Sequence, residues 1–144
     1  MRKELTSAEL RSTRLWAVWG DLLGEGYCSR LVPVRRFLTR SVIVFLAAYA
    51  AMIVSIFALK DSSLQIPVLI ALGLPPFVTL GVALLRLDAF GKLLARDLEQ
   101  AGFRTDRPAP MRNTYLFERW RARNEVPKDE VVRVGNRSNP DSRK

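Results

Sequence analysis

Two long apolar runs dominate the hydrophobic pattern of this chain, and only four residues separate them. The first run extends from Ser41 to Leu59 and the second from Leu64 to Leu85, and neither contains a charged residue. At a helical rise of about 1.5 Å per residue, each run matches a hydrocarbon core roughly 30 Å thick. Uncharged helices of this length offer no face to water. The pattern therefore predicts an all-α membrane protein built on a two-span transmembrane hairpin.

The polar flanks of the hairpin divide the rest of the chain. Each flank alone is shorter than the roughly 60 residues below which a domain is marginal, so neither is expected to form a sizeable core by itself. We predict an amphipathic cytoplasmic or interfacial flank at 1–40, the hairpin at 41–85 with spans at about 41–59 and 64–85, a cytoplasmic helix continuing the second span at 86–102, and a basic, partly disordered tail at 103–144.

The N-terminal flank carries clear helix signals. Thr6 and Glu9 have the spacing of a capping box, which predicts a helix from about Ser7 to Leu23. The sequence Gly24-Glu-Gly26 is expected to end it, because two glycines within three residues are unfavourable inside a helix. Pro33 suits the first turn of the helix that follows.

Two tryptophans lie on the apolar stripe of this predicted helix. Trp16 and Trp19 recur with leucines at three- and four-residue spacing. An indole buries its ring and keeps its N–H wet at the headgroup level, so the stripe is consistent with an in-plane interfacial helix. Packing on a partner protein, or on the chain's own cytoplasmic helix, explains it equally well.

Arginines directly before the first span indicate its orientation. Arg35, Arg36 and Arg40 precede the run, and the net charge of +9 divides into +4 before the hairpin (8 basic, 4 acidic), zero in the connector and +5 after it (14 basic, 9 acidic). The positive-inside rule then predicts that both termini are cytoplasmic. The same three arginines are expected to contact anionic lipid headgroups.

Small residues and two prolines mark the spans. Small side chains at four-residue spacing predict the faces through which the two helices pack, and they are Ala47, Ala51, Ser55, Ala71, Thr79 and Ala83. Pro75 and Pro76 remove two backbone donors near the middle of the second span, which predicts a kink. The kink is interpreted as a packing feature, and the alternative is a broken helix that offers carbonyls to an ion or substrate.

An amphipathic stripe continues beyond the second span. Leu87, Phe90, Leu94 and Leu98 recur every three or four residues, and Gly102 is expected to end the helix. This stripe cannot remain solvated over four turns. It must pack on the N-terminal helix, on a second copy of the chain or on another protein.

The C-terminal tail mixes aromatic and basic residues. Tyr115 and Trp120 lie among arginines between Arg107 and Arg123, a composition suited to headgroups or to a docking partner. Stacking on single-stranded nucleic acid needs the same residue types but an extra assumption, so nucleic acid is the weaker interpretation. Val126 to Val134 is interpreted as extended, and Gly135 to Lys144 is too polar to fold alone.

Candidate chemistry is sparse. The chain has no histidine and one cysteine, Cys28, which excludes zinc, haem-histidine and Ser/His/Asp sites built by this sequence alone. We predict neither an enzyme nor a cofactor. Cys28 is interpreted as a small apolar filler, with S-acylation as the alternative.

The function predicted from this layout is a small integral membrane scaffold or accessory subunit that docks on a larger secretion, conjugation or respiratory complex. The alternatives are a homo-oligomeric, holin-like pore former and a membrane-embedded immunity or signalling module. The expected partners are the bilayer and other membrane subunits or a second copy. A composition of 18 arginines to 5 lysines hints at a bacterial source and hence the inner membrane.

Overall fold

The computed structural model describes residues 5–60 and 62–139, and this part of the chain is all-helical without strands. Both apolar runs lie in helices long and apolar enough to cross a membrane. The prediction of an all-α fold is confirmed. The helices are α1 at Ser7–Arg11, α2 at Arg14–Ala58, α3 at Gln65–Gln100, α4 at Thr114–Arg123 and α5 at Lys128–Arg137.

The chain divides into two compact units. The hairpin unit is Arg35–Arg86, and the flank unit is Met1–Val34 together with Leu87–Lys144. The two flanks, which are each too short for a core of their own, therefore pack into one unit. Long-range pairing of the flanks removes the size limit that applied to each flank alone.

The hairpin unit is an antiparallel helix pair. Contacts between α2 and α3, taken from the turn outward, join Gln65 with Ile56, Phe77 with Phe45, and Arg86 with Phe37. Residue numbers rise along one helix as they fall along the other, which defines the antiparallel register. The rings of Phe45 and Phe77 meet edge to face with centroids 4.9 Å apart, a favoured aromatic geometry.

α3 continues as one helix through Pro75 and Pro76. The predicted kink therefore does not interrupt the helix. The carbonyls of Ala71 and Leu72 lose their donors to the two prolines, and Thr79, a neighbouring helix or water were the possible partners for them. The Thr79 hydroxyl instead donates to the carbonyl of Pro76 at 3.0 Å, because a threonine hydroxyl reaches back only three or four residues along its own helix.

The capping box at the N-terminus is confirmed. The Glu9 N–H donates to the Thr6 hydroxyl at 3.3 Å, and the Thr6 N–H donates to the Glu9 carboxylate at 3.0 Å. The single helix predicted over Ser7–Leu23 is wrong, because α1 ends at Arg11. Thr13 starts the next helix, since its hydroxyl accepts the N–H of Trp16 at 3.3 Å and so competes with continuation of α1.

Gly24 breaks the helical path of α2, as predicted, with a φ of 72° that only glycine adopts readily. The helix resumes at once, and Asn136 of α5 accepts the N–H of Glu25 at 2.9 Å. The prediction that Pro33 lies in the first turn of a helix is therefore wrong, because the helix has already resumed at Glu25, eight residues earlier. At the other end of the flank unit, Gly102 ends α3 as predicted, with the Phe103 N–H donating to the Leu98 carbonyl at 3.0 Å.

The tail is more structured than predicted. An extended segment at Val126–Val134 is wrong, because α5 occupies Lys128–Arg137. Acidic residues in its first turn and Arg137 in its last complement the helix dipole. Asn113 caps α4 through a 2.8 Å hydrogen bond from the Leu116 N–H. The segment from Gly135 to Lys144 was predicted to be too polar to fold alone. Its first three residues are part of α5, and residues 140–144 lie outside the described part of the chain.

One apolar core holds the flank unit together. It combines side chains from all five helices and from the linker before α4. Its fully buried members include Leu10, Trp19, Leu23, Tyr27, Leu94, Leu98, Met111, Phe117, Trp120, Val126 and Val131. The indole N–H of Trp120 donates to the Arg107 carbonyl at 2.6 Å, so the linker is fixed to α4. The stripe on α3 is thus covered by the chain itself.

Candidate functional site

A cluster of arginines, Arg35, Arg36, Arg40 and Arg86, occupies the open end of the hairpin unit, and we call it the arginine cluster. Arg36 and Arg40 lie one turn apart on α2 and are exposed. Arg86 lies on α3 with its guanidinium carbon 4.7 Å from the ring centroid of Phe37. Phe37 lies between Arg36 and Arg40 in the sequence of α2, so the contact places Arg86 at the same level of the hairpin unit as these two arginines.

The segment that forms the hairpin unit is poor in acidic residues. Between Arg35 and Arg86 the sequence has one, Asp61, in the connector between the two apolar runs. Burial lowers the pKa of Arg35, which is half-buried, from its ordinary value. The sequence predicted Arg35, Arg36 and Arg40 as an anionic contact. It did not indicate Arg86, because only the register of the two helices brings that residue to the other three.

A second surface lies on α4. Tyr115 is 68% exposed and Leu116 is 37% exposed. Arg119 and Arg123 are exposed and follow at three- and four-residue spacing. We call Tyr115, Leu116, Arg119 and Arg123 the α4 outer face. Tyrosine and arginine are residue types that are enriched in protein interface hot spots.

The predicted docking residues fall into two groups in the structure. Tyr115 is exposed, and Trp16 is half-buried. The others are buried in the core of the flank unit, and they are Trp19, Leu87, Phe90, Leu94, Leu98 and Trp120. Trp19 lies edge to face with Phe117 at 5.6 Å, so α4 covers it. Phe117 was not among the predicted docking residues, although its spacing from Trp120 places both on one helix face.

The predicted packing residues of the hairpin also divide. Ala83 is buried, Ala51 and Ser55 are half-buried, and Ala47, Ala71 and Thr79 are exposed. A small crevice between the helices is lined instead by Phe45, Ala48, Tyr49, Met52, Leu72, Gly73, Pro76 and Phe77. The helices thus meet through larger side chains on an adjacent face, where the sulfur of Met52 lies against Gly73.

Cys28 and Tyr27 are buried polar groups of the flank unit. Burial, aided by the negative charge of Glu25, raises the pKa of the Cys28 thiol to about 12. A thiol that is 2% exposed and protonated is a poor nucleophile, which favours the filler interpretation over S-acylation. Burial and then the Asp97 carboxylate raise the pKa of Tyr27 above its ordinary value. Its hydroxyl lies near Asp97 and Ser138 but makes no well-formed hydrogen bond with either.

Acidic residues of the described chain form ion pairs and no metal-ligand group. Among residues 5–60 and 62–139, no three His, Cys, Asp or Glu side chains come together as metal ligands. The carboxylate of Asp88 pairs with Lys92 at 2.7 Å on exposed helix surface, and that of the half-buried Glu130 pairs with Arg133 at 2.7 Å. The two surfaces defined above are therefore the places where the described chain presents distinctive chemistry.

Comparisons with known proteins give no match to this chain. No protein-family model matches it, no curated protein is significantly similar to it, and no solved structure matches its fold.

Proposed function

We propose that this protein is a small membrane-anchored scaffold or accessory subunit. In this proposal the hairpin unit spans a bilayer, with both termini on the cytoplasmic side, and the flank unit is a helical domain held at the membrane surface. The bacterial inner membrane is the compartment we assign, following the arginine-rich composition. The α4 outer face is the surface that docks on a larger complex.

One observation carries the membrane assignment. In the most apolar windows of α2 and α3, only 6% and 11% of residues are buried. The core helices of a soluble protein would be mostly buried, because exposing so many large apolar side chains to water is unfavourable. Exposed side chains of this kind include Ile43, Val54, Phe57, Ile66, Leu74 and Leu85, and they occur along both helices. A hydrocarbon environment accounts for them directly.

The arrangement of hydroxyl groups argues against a pore. A hydrated lumen needs polar side chains that are free to face water along one span. Ser55 donates to the Ala51 carbonyl at 2.8 Å, and Thr79 donates to the Pro76 carbonyl at 3.0 Å. Both hydroxyls are used within their own helices. The hairpin is better suited to anchoring than to conducting.

The docking role rests on what remains exposed after the flank unit has formed. The core buries most of the apolar stripe that sequence reasoning assigned to partners. The α4 outer face keeps a tyrosine, a leucine and two arginines accessible, while Phe117 and Trp120 on the other side of α4 fix the helix to the core. A rigid helix with such a face is suited to a protein partner.

The topology can be measured with reporter fusions. A reporter that is active only outside the cytoplasm should be inactive at Lys144 and active when inserted at Ser62, because both flanks are basic and the connector is neutral. Carbonate washing of membranes should leave the chain in the pellet. An external reporter at Lys144, or release of the chain by carbonate, would contradict the hairpin anchor.

The docking surface can be tested by site-specific photo-crosslinking in cells. With a photoreactive phenylalanine analogue at Tyr115, we expect a discrete crosslinked band that contains a second membrane protein. The matched control places the analogue at Val18, which is 48% exposed on α2 of the same unit, and should give no such band. Crosslinks only to a second copy of this chain, with dye leakage from liposomes, would support the pore former instead.

A further inference from the structure

We propose that the arginine cluster is a two-helix binding site for the phosphate of an anionic phospholipid headgroup, in which Arg86 of α3 acts together with Arg36 and Arg40 of α2. The inference rests on the proposed membrane anchor and adds a ligand to it. It differs from a general preference of basic flanks for anionic membranes, because it requires a residue that the sequence places 46 positions after Arg40.

The positive charge of the arginine cluster suits an anionic ligand. Arg36, Arg40 and Arg86 are exposed, and the segment that forms the hairpin unit is poor in acidic residues. Guanidinium groups bind phosphate oxygens in a bidentate manner, which a lysine cannot do. A group of three exposed arginines at the end of two apolar helices is therefore complementary to a phosphate monoanion at the depth of the headgroups.

The contact of Arg86 with Phe37 favours binding of a phosphate. Its guanidinium lies over the Phe37 ring, with 4.7 Å from the guanidinium carbon to the ring centroid. This contact restrains a side chain that would otherwise sample many rotamers, so less entropy is lost when a phosphate binds. A guanidinium over a ring also keeps its in-plane N–H donors available. The hairpin register places those donors beside the residue that follows Arg36.

The apolar side chains next to the arginine cluster favour a lipid over a free phosphate. Leu85 precedes Arg86 and is 70% exposed, and Val42 and Ile43 follow the α2 arginines and are exposed as well. Apolar side chains that accept acyl chains thus continue directly from the arginines. A soluble phosphate would use none of this surface, whereas a phospholipid uses both parts.

The test measures which lipids remain bound to the intact protein. The full chain is reconstituted into vesicles of equal parts phosphatidylglycerol and phosphatidylcholine, extracted in mild detergent, and analysed by mass spectrometry for retained lipid. The parent should retain phosphatidylglycerol in excess. Arg86→Gln should lower the retained phosphatidylglycerol about fivefold, the factor expected for one arginine near an anionic surface. Arg36→Gln with Arg40→Gln should lower it further.

Two controls separate the site from bulk electrostatics. Arg104→Gln removes an exposed arginine of the flank unit and should leave the lipid ratio unchanged. Phe37→Leu removes the ring but keeps an apolar side chain, and it should lower retention less than Arg86→Gln does. Combined with Arg86→Gln, it should have no additional effect, because its role is to position Arg86.

Several outcomes would overturn the site. Normal retention by Arg86→Gln together with loss in the Arg36/Arg40 variant would reduce it to a contact of one helix. An equal loss in Arg104→Gln would show that net charge alone accounts for the retained lipid. Displacement of the lipid by millimolar inorganic phosphate would show a plain phosphate site. Carbonate extraction of the same membranes keeps failure of this inference distinct from failure of the anchor.

Discussion

Replacing Gly135 by alanine is expected to lower the unfolding midpoint of the flank unit by on the order of 15 °C. A Cβ at Gly135 would overlap the carbonyl oxygen of Leu23 and lie 2.7 Å from the Tyr27 ring. Overpacking against backbone that cannot shift costs roughly 3 kcal/mol at the upper end of its usual range. For a unit of about this size, each kcal/mol shifts the midpoint by about 4–8 °C.

Helix propensity alone predicts the opposite effect for this substitution. Alanine is a better helix former than glycine by about 1 kcal/mol, so a loss at position 135 must come from the contact and not from the helix itself. The opposing glycine, Gly26, has the reciprocal relation, because its Cβ would overlap the Gly135 carbonyl. The two residues allow α5 to approach the backbone of α2 closely.

The measurement uses tryptophan emission. All three tryptophans of the chain, Trp16, Trp19 and Trp120, belong to the flank unit, so emission during a thermal scan in detergent reports that unit alone. Gly81→Ala is the matched control, because nothing lies within 4 Å of a Cβ there. Its scan should superimpose on that of the parent. A Gly135→Ala scan equal to the parent's would contradict the packing of α5 on α2.

Sequence periodicity predicted the helices far better than it predicted their partners. The apolar runs, the capping box and the stops at Gly24 and Gly102 follow from local chemistry, so they could be inferred from neighbouring residues. An amphipathic stripe predicts that one face of a helix is buried, but it does not identify the surface that buries it. Whether the α3 stripe meets its own chain or another protein depends on contacts between residues far apart in the sequence, such as the one between the rings of Tyr27 and Phe90.

The sequence of α5 contains a helix-start signal, but its composition favoured an extended interpretation. Pro127 followed by Asp129 and Glu130 is a helix start, and Val131 and Val134 share one face. The segment reads as polar and β-branched when its partner is unknown, which favours an extended interpretation. Glycine at position 135 adds to that impression. The structure shows that this glycine is required by close approach to α2, a reason that lies wholly in tertiary packing.

The arginine cluster shows the same limit for a candidate site. Arg35, Arg36 and Arg40 are adjacent in sequence, and their role could be predicted from the run of charge before an apolar segment. Arg86 looked like the first polar residue of a cytoplasmic helix. Its contact with Phe37 arises only from the antiparallel register of the hairpin. Sequence reasoning therefore finds stripes on one helix and misses sites shared by two.

Phe117 is expected to be the most costly aromatic side chain to remove from α4, because its ring lies between two others. The Trp19 ring meets it edge to face at 5.6 Å, and the Trp120 ring stacks on it at 5.6 Å. The side chain is fully buried. Truncating a buried phenylalanine to alanine typically costs about 3–5 kcal/mol, a large share of the roughly 5–15 kcal/mol that stabilises a typical domain.

Phe117→Ala should therefore lower the free energy of unfolding of the flank unit by about 3–5 kcal/mol, measured by urea titration followed through tryptophan emission. Tyr115→Ala is the matched control, since it makes nearly the same truncation in the same helix at a residue that is 68% exposed. It should change stability by no more than about 0.5 kcal/mol. Equal destabilisation by the two variants would contradict both the buried role of Phe117 and the assignment of Tyr115 to a docking surface, because a side chain that stabilises the core is not available to a partner.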